Sequence, residues 1–256
     1  MFKVLDLFSG CGGLSEGFIQ AGFDVSVSVE IDDKACETQR INHPETMVIQ
    51  ADLTKLTPEE LVKLTGESNF DVIIGGPPCQ GFSLIGTRLG TSKRFIDDPR
   101  NKLYKEFIKF IRYFQPPVVL MENVPGLFSF HGGKIKEAIE EDFKQSDMSE
   151  GFIGYDVEAK ILNASHFGVP QTRERVFFIA VREDLGVSPC HPEPVLSEDN
   201  VFTVHDAIGA LPPLGIRDGE HEVPFSWTQN EYDYLLNMQA HNLKRTNGYR
   251  KGYLYN

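Results

Sequence analysis

One cysteine stands where a thiol could react. Cys79 follows Gly75-Gly76-Pro77-Pro78, which ends the apolar run Val72-Ile73-Ile74, and it leads into Gln80-Gly81-Phe82-Ser83. The apolar run reads as a buried strand. The prolines fix backbone direction at its exit, and the glycines allow a ligand to pack close and the following loop to turn. Cys79 is thus expected at a strand exit with polar neighbours, where its thiolate, once favoured, is a nucleophile. Glu122 ends a second apolar run, Val118-Val119-Leu120-Met121. Desolvation there favours the protonated carboxyl and a proton-donor role. Gln171-Thr172-Arg173-Glu174-Arg175 enters a third run with two arginines on one face of an extended chain. Taken singly, Glu122 reads equally as a surface cap and the arginines as a structural ion pair. Thiol, acid and guanidinium converging at strand ends suit conjugate addition to an electron-poor ring.

Three more acids occupy related positions. Asp6, Glu30 and Asp52 each end an apolar run near the N-terminus, and Asp6 opens the stretch Asp6-Leu7-Phe8-Ser9-Gly10-Cys11-Gly12-Gly13-Leu14. Such a glycine turn lets a ligand reach the backbone amides at a helix start. The spacing is GxGG and not the dinucleotide GxGxxG, which weakens a phosphate cradle. Glu30 is placed to accept from ribose hydroxyls, and Asp52 suits an adenine amino group. A row of carboxylates repels phosphate but suits a ligand with a ribose, an amino group and a cation. S-adenosylmethionine has all three.

The elements that must position these groups alternate. Strand patterns at residues 4–8, 25–31, 47–53, 72–74 and 118–122 are separated by helical patterns at 14–21, 33–42, 58–64 and 102–114. This alternation predicts βαβ units and an α/β fold, with a mostly parallel, doubly wound sheet covered on both faces. A further helix at 134–145 precedes strands at 155–163 and 175–182. No helical segment lies between those two, so they read as an antiparallel terminal hairpin. Past Val187 prolines accumulate and periodicity weakens. The expected division is a cofactor-binding catalytic domain over 1–186, then a proline-containing hinge and the start of a recognition region over 187–256.

Composition narrows the function classes. The four cysteines (Cys11, Cys36, Cys79, Cys190) form no CxxC pair, so neither a zinc site nor a disulfide framework is expected. The first residues read as a strand and not as a signal peptide, and no apolar stretch is long enough for a membrane span, so cytoplasm is the expected location. The net charge is −12, yet Arg88, Lys93, Arg94, Arg100, Lys102, Lys105, Lys109 and Arg112 face only Asp97, Asp98 and Glu106 between Leu84 and Pro116. The last sixteen residues carry Lys244, Arg245, Arg250 and Lys251 without an acid. Such asymmetry permits local capture of a polyanion, although a solvated helix face and a soluble tail account for charge alone.

In this order, "DLFSGCGGLSEGF", "VEIDDKACET", "ADLT", "GGPPCQGFS", "DDPRNKLYKEFIKFI", "ENVPGL" and "QTRERVFFIAVR" resemble the first eight blocks of the DNA (cytosine-5)-methyltransferases, roughly residues 1–182. The resemblance implies a Rossmann-like S-adenosylmethionine-dependent fold and methylation of double-stranded DNA, as the modification enzyme of a restriction-modification system. Cys79 would add to carbon 6 of a flipped cytosine. Glu122 would hold N3 and the amino group, Arg175 the ring carbonyl, and Arg173 the site or a nearby phosphate. Asp6, Phe8, Gly10, Gly12, Gly13, Glu30, Ile31, Asp52, Leu53, Pro77 and Leu103 would line the cofactor pocket. Gln80, Ser83, Arg88, Arg94 and Arg100 would contact DNA. The family's "RxLTxREAARLQGFP" and "GNxVP" blocks do not occur before Asn256. A truncated chain, or a second polypeptide supplying them, is therefore expected. A tRNA cytosine-5 methyltransferase and a cofactor-binding subunit inactive without its partner are the competing readings.

Overall fold

The structure, a computed structural model, describes residues 1–78, 103–129, 133–146, 151–209, 222–224 and 253–255. Cys79, Gln80, Ser83, Arg88, Arg94 and Arg100 lie outside the described residues.

Seven strands form one sheet: β1 (Lys3–Leu7), β2 (Asp24–Glu30), β3 (Met47–Gln50), β4 (Val72–Gly75), β5 (Val118–Asn123), β6 (Tyr155–Asn163) and β7 (Glu174–Arg182), in the order β3-β2-β1-β4-β5-β7-β6. Strands β1 to β5 pair in parallel, and β7 runs antiparallel to β5. The helices between them are α1 (Gly13–Gln20), α2 (Asp33–Asn42), α3 (Pro58–Thr65) and α4 (Leu103–Phe114), followed by α5 (Gly126–Ser129) and α6 (Lys134–Lys144). This is the mostly parallel α/β sheet expected from the alternation, with the last two strands side by side and a single 3-10 turn, Ala164–Phe167, between them.

Local sequence explains the boundaries. Thr57 and Glu60 form a capping box at α3, Pro58 occupies its first turn, and Gly66 closes it at φ 74°. Asp32 caps α2 through the Ala35 amide. Strand β3 ends at Gln50 and not at residue 53, because Asp52 accepts from the Thr54 amide and hydroxyl and turns the chain. Strand alternation then sorts the core. Leu5, Leu7, Val27, Val29, Ile73, Val119 and Met121 pack with Leu61 of α3, with Phe107, Phe110 and Ile111 of α4, and with Ile139 and Phe143 of α6. Each such side chain, fully buried, contributes about 1.5–3 kcal/mol. The opposite face carries a smaller cluster, Val4, Val25, Val72 and Ile74, against Leu14 and Phe18.

The chain separates into two compact units, residues 1–162 with 174–192, and residues 163–173 with 193–256. The second unit contains the 3-10 turn, α7 (Val204–Ile208) with its Thr203–Asp206 capping box, and the antiparallel pair β8 (Glu222–Pro224) and β9 (Tyr253–Tyr255).

Candidate active site

The strand order reverses between β1 and β4, and open α/β sheets bind ligands at that point, beyond the carboxyl ends of the strands. Both glycine-bearing exits meet there. In register, Leu7 pairs with Gly75, and Gly75 with Met121, so the turn after β1, the proline exit from β4 and Glu122 on β5 share one edge.

Glu122 and Arg175 form the polar centre of that edge. Their strands are antiparallel, with Glu122 opposite Phe177, which brings Arg175 to the carboxyl end of β5. Arg175 Nε lies 2.9 Å from Glu122 Oε1, and each side chain is 24% exposed. The guanidinium also donates through Nη1 to its neighbour's carbonyl, Glu174 O, at 2.6 Å. Next to Glu122, the buried Asn123 donates from Nδ2 to the Pro77 carbonyl at 3.0 Å and accepts from the Val124 amide. The amide therefore locks the exit that leads to Cys79 onto the end of β5.

The two glycines before that exit serve neighbours other than those expected. A Cβ on Gly75 would sit 2.3 Å from the Leu7 carbonyl oxygen and 2.8 Å from the Phe107 ring. On Gly76 it would sit 3.1 Å from Glu122 Oε2. Sequence reading assigned both glycines to close packing of the cofactor. The structure assigns Gly75 to strand packing and Gly76 to room for the Glu122 carboxylate.

The turn after β1 carries the second group of expected residues. Phe8 is half-buried at φ 58°, Gly10 has φ 55°, and Gly12 has φ 88°. Glu30 organises this turn, accepting from the Gly10 amide at Oε2 (2.7 Å) and from the Ile31 and Asp32 amides at Oε1. Helix α1 starts with no side-chain cap, and a Cβ on Gly10 or Gly13 would meet nothing within 4 Å. Gly12 is different, since a Cβ there would strike the His43 ring at 2.6 Å.

Asp6 is fully buried. Ser15 Oγ donates to its Oδ2 at 2.6 Å, while Oδ1 has no hydrogen-bond partner. Burial pushes its carboxyl up to about 7, with the Ser15 bonds opposing and the Glu30 charge adding to the rise. Asp52 is held below the usual carboxylate range by its Thr54 bonds. Ile31 is 62% exposed beside Glu30, and Leu103 is half-buried at the start of α4. Leu53 and Pro77 are buried, Leu53 as part of the main core. An unpaired buried carboxylate oxygen, a helix start without a capping side chain and open glycine space fit a ligand with a cationic amino-acid end. Three acids in a row, with no basic residue in the β1–α1 turn, do not fit a phosphate.

Arg173 precedes β7, is exposed, and belongs to the second unit, where its carbonyl accepts from the Ala164 amide at 2.9 Å. Asn123 and Gln39 are the residues that motif reading passed over. Asn123 adjoins Glu122 in "ENV". Gln39 carries no signal in the sequence: only the structure shows it buried on α2 with Cys36, in a core-facing stripe that is normally apolar. Cys11, Cys36 and Cys190 are free thiols. Among the described residues no cluster of His, Cys, Asp and Glu could hold a metal ion, and no helix is long and apolar enough to cross a membrane.

Comparison with known proteins follows the same residues. The model of the C-5 cytosine-specific DNA methylases matches residues 2–253. A Type II methyltransferase of Haemophilus parahaemolyticus (M1.HphI) is 47% identical over 210 residues, covering 82% of this chain and 53% of that protein. A Type II methyltransferase of a Picosynechococcus strain (M.AquIA) is 41% identical over 228 residues, covering 82% of this chain and 89% of the relative. The chain thus spans about half of the first relative and nearly all of the second. Among solved structures, a presumed DNA modification methyltransferase from an Escherichia coli prophage superposes with TM-score 0.67 at 34% identity, over 88% of this chain and 59% of that one. A Spodoptera frugiperda DNMT2 variant shares the fold, with TM-score 0.59 at 22% identity, over 88% of this chain and 63% of that one.

Proposed function

Because the chain belongs to the C-5 cytosine-specific DNA methylases, we propose that it methylates carbon 5 of cytosine in double-stranded DNA, as the modification enzyme of a restriction-modification system. The observation that carries this reading is the Glu122–Arg175 pair at 2.9 Å, beside the proline exit that Asn123 ties to β5 and that leads to Cys79.

The cofactor is S-adenosylmethionine, which supplies an electrophilic methyl group. Asp6, Glu30 and the amides at the start of α1 would bind and orient it, and Asp52 would serve the adenine amino group. The target cytosine leaves the stack, because stacking hides carbon 6 from any side chain. The Cys79 thiolate then adds to carbon 6, and the electron pair moves to carbon 5. Glu122 holds N3 and the exocyclic amine, sharing a proton with the ring as charge develops there. Arg175 steadies that carboxylate and turns its remaining donors to the ring carbonyl. After transfer, loss of the carbon-5 proton to a base expels Cys79 and restores the ring. Arg173, Gln80, Ser83, Arg88, Arg94 and Arg100 are proposed to contact the polynucleotide, and the working compartment is the cytoplasm.

We also propose a catalytic unit over residues 1–186 and a recognition region beginning at 187, completed by a second polypeptide. The Picosynechococcus relative, matched over 89% of its own length, supports a family chain of about this size.

The test is tritiated methyl transfer by the purified chain to duplex DNA and, separately, to tRNA, with and without the product of the adjoining reading frame. Incorporation into DNA, and covalent trapping by a duplex containing 5-fluorocytosine, are expected. Incorporation into tRNA alone would replace the DNA reading with the tRNA one.

A further inference from the structure

The sheet face beneath α1 and α2 is apolar at Val4, Val25 and Ile74, but polar at the cofactor edge. Asp6 and Ser28 pair in register there, and Ser15 from α1 and Gln39 from α2 close over them. All four are fully buried, and Ser9 of the glycine turn is 8% exposed. Gln39 Oε1 accepts from Ser9 Oγ at 2.8 Å and from Ser28 Oγ at 3.1 Å. Gln39 Nε2 donates to Ser15 Oγ at 3.2 Å, and Ser15 Oγ donates to Asp6 Oδ2 at 2.6 Å.

Each proton along this chain of bonds is used once, which makes Asp6 Oδ2 an acceptor at its end. With the Gln39 amide turned over, Ser9 and Ser28 would accept and Ser15 would donate to Gln39. Asp6 Oδ2 would then face an oxygen with no proton to share, unless Asp6 were itself a neutral acid. The observed amide polarity therefore keeps the Ser15 proton on Asp6 Oδ2 and leaves Oδ1 as the oxygen that gains or loses the carboxyl proton.

We propose that Gln39 is a positioning residue for cofactor binding: it fixes Ser9 in the glycine turn and, through Ser15, presents Asp6 as a carboxylate with Oδ1 available to the ligand's ammonium. The inference rests on the S-adenosylmethionine reading. Gln39 itself touches neither cofactor nor substrate in this scheme.

The groups that face Asp6 are Ser28 and the Glu30 carboxylate from β2, Ile74 from β4, Ser15 from α1 and Gln39 from α2. The nearby Glu16–His43 pair, at 3.1 Å, joins the same two helices beneath Gly12. Burial and Glu30 raise the Asp6 carboxyl, and the Ser15 hydroxyl and amide bonds restrain the rise, the hydroxyl the more. Losing the hydroxyl bond leaves Asp6 neutral to higher pH and blunts its attraction for a cation.

The experiment is calorimetric titration of S-adenosylmethionine into the full chain from pH 6 to 9, for wild type, Gln39→Leu, Gln39→Glu and Ser15→Ala. Circular dichroism of the free proteins establishes folding. Wild-type affinity should fall as pH drops through about 7. Gln39→Leu and Ser15→Ala should weaken binding at pH 7.5 by about tenfold, the scale of one hydrogen bond to a charged group. Their binding midpoint should move to higher pH, and Ser15→Ala should regain affinity by pH 9. Gln39→Glu, which accepts from all three serines and adds a charge, should move the midpoint furthest. A loss that is uniform across pH, or no loss, in Ser15→Ala and the folded Gln39 variants would overturn the inference. Absence of binding by wild type at every pH would overturn the cofactor reading as well.

Discussion

Asn123 Nδ2 donates to the carbonyl of Pro77 across 3.0 Å, joining the end of β5 to the exit of β4 in a buried setting. The bond links the residue after the acid Glu122 to the end of the described segment that leads in sequence to Cys79, the nucleophile of the proposed function. Asn123→Ala should leave the Pro77 carbonyl unpaired, costing about 1–3 kcal/mol. Single-turnover methylation should fall more steeply than cofactor affinity, because the turn after β1 is untouched. Equal losses in both would mean that the bond only supports the fold.

The Glu122–Arg175 pair separates a functional from a structural role by exposure. Both side chains are 24% exposed, and pairs open to solvent contribute about 0–1 kcal/mol to stability. Arg175→Gln should therefore melt within a few degrees of wild type. Methyl transfer should nevertheless fall by orders of magnitude, since the carboxylate loses its partner where ring charge develops. A variant that transfers methyl groups normally would remove Arg175 from the site.

Adjacent glycines should fail in different ways. Gly75→Ala drives a Cβ to 2.3 Å from the Leu7 carbonyl, inside a parallel ladder that cannot move aside. Loss of stability by several degrees is expected, with activity falling in proportion to unfolding. Gly76→Ala is tight against the Glu122 carboxylate alone, at 3.1 Å, which can rotate away, and makes an ordinary 3.8 Å contact with the Glu122 carbonyl. That variant should keep its melting temperature and lose methyl transfer. The reverse pattern would show that Gly76, and not Gly75, supports the sheet.

Much of this was legible from residue order. Short continuous apolar runs and glycine or proline exits located β1, β2, β4 and β5 to within a residue or two, because both faces of these strands are covered. β3 was read three residues too long, since the Asp52–Thr54 turn is a local hydrogen-bond choice that hydrophobicity does not record. Asp6, Glu30 and Glu122 were identified by position at strand ends. Gly10 and Arg175 were named as well, but not as their partners, and Ser15 was not named, because the three arrive from 20, 53 and 9 residues away in sequence. Gln39 escaped for a related reason. A buried glutamine looks like a surface residue until the serines of three other segments are placed around it.

Glu30 holds the glycine turn through Gly10 and, in the proposed function, the ribose as well. Glu30→Ala removes the acceptor for the Gly10, Ile31 and Asp32 amides along with any bond to a ligand. A weakening of S-adenosylmethionine binding by roughly 1–3 kcal/mol is expected, or about 5- to 150-fold. Glu30→Gln keeps an acceptor and should recover part of it. Calorimetry giving wild-type affinity for Glu30→Ala would remove this acid from the pocket.

Asp6 gives the cofactor-free protein a pH dependence with a definite sign. Its carboxyl is pushed up to about 7 in the folded chain, against about 3.9 for an unfolded aspartate. Between those values the folded state holds the extra proton, so the Asp6 contribution to stability declines as pH rises toward 7 and is level above it. His43 acts in the opposite direction, because burial lowers its imidazole below the ordinary value and stability is lost as pH falls through the unfolded range near 6.5. Comparing wild type with Asp6→Asn cancels the histidine. The difference between their melting temperatures should favour the asparagine variant at pH 8 and shrink steadily toward pH 5. Each kcal/mol relieved should correspond to roughly 2–4 °C for a chain of this size. The same variant should bind S-adenosylmethionine far more weakly at pH 8, trading cofactor affinity for stability. A difference in melting temperature that does not change with pH would mean that Asp6 does not titrate in this range.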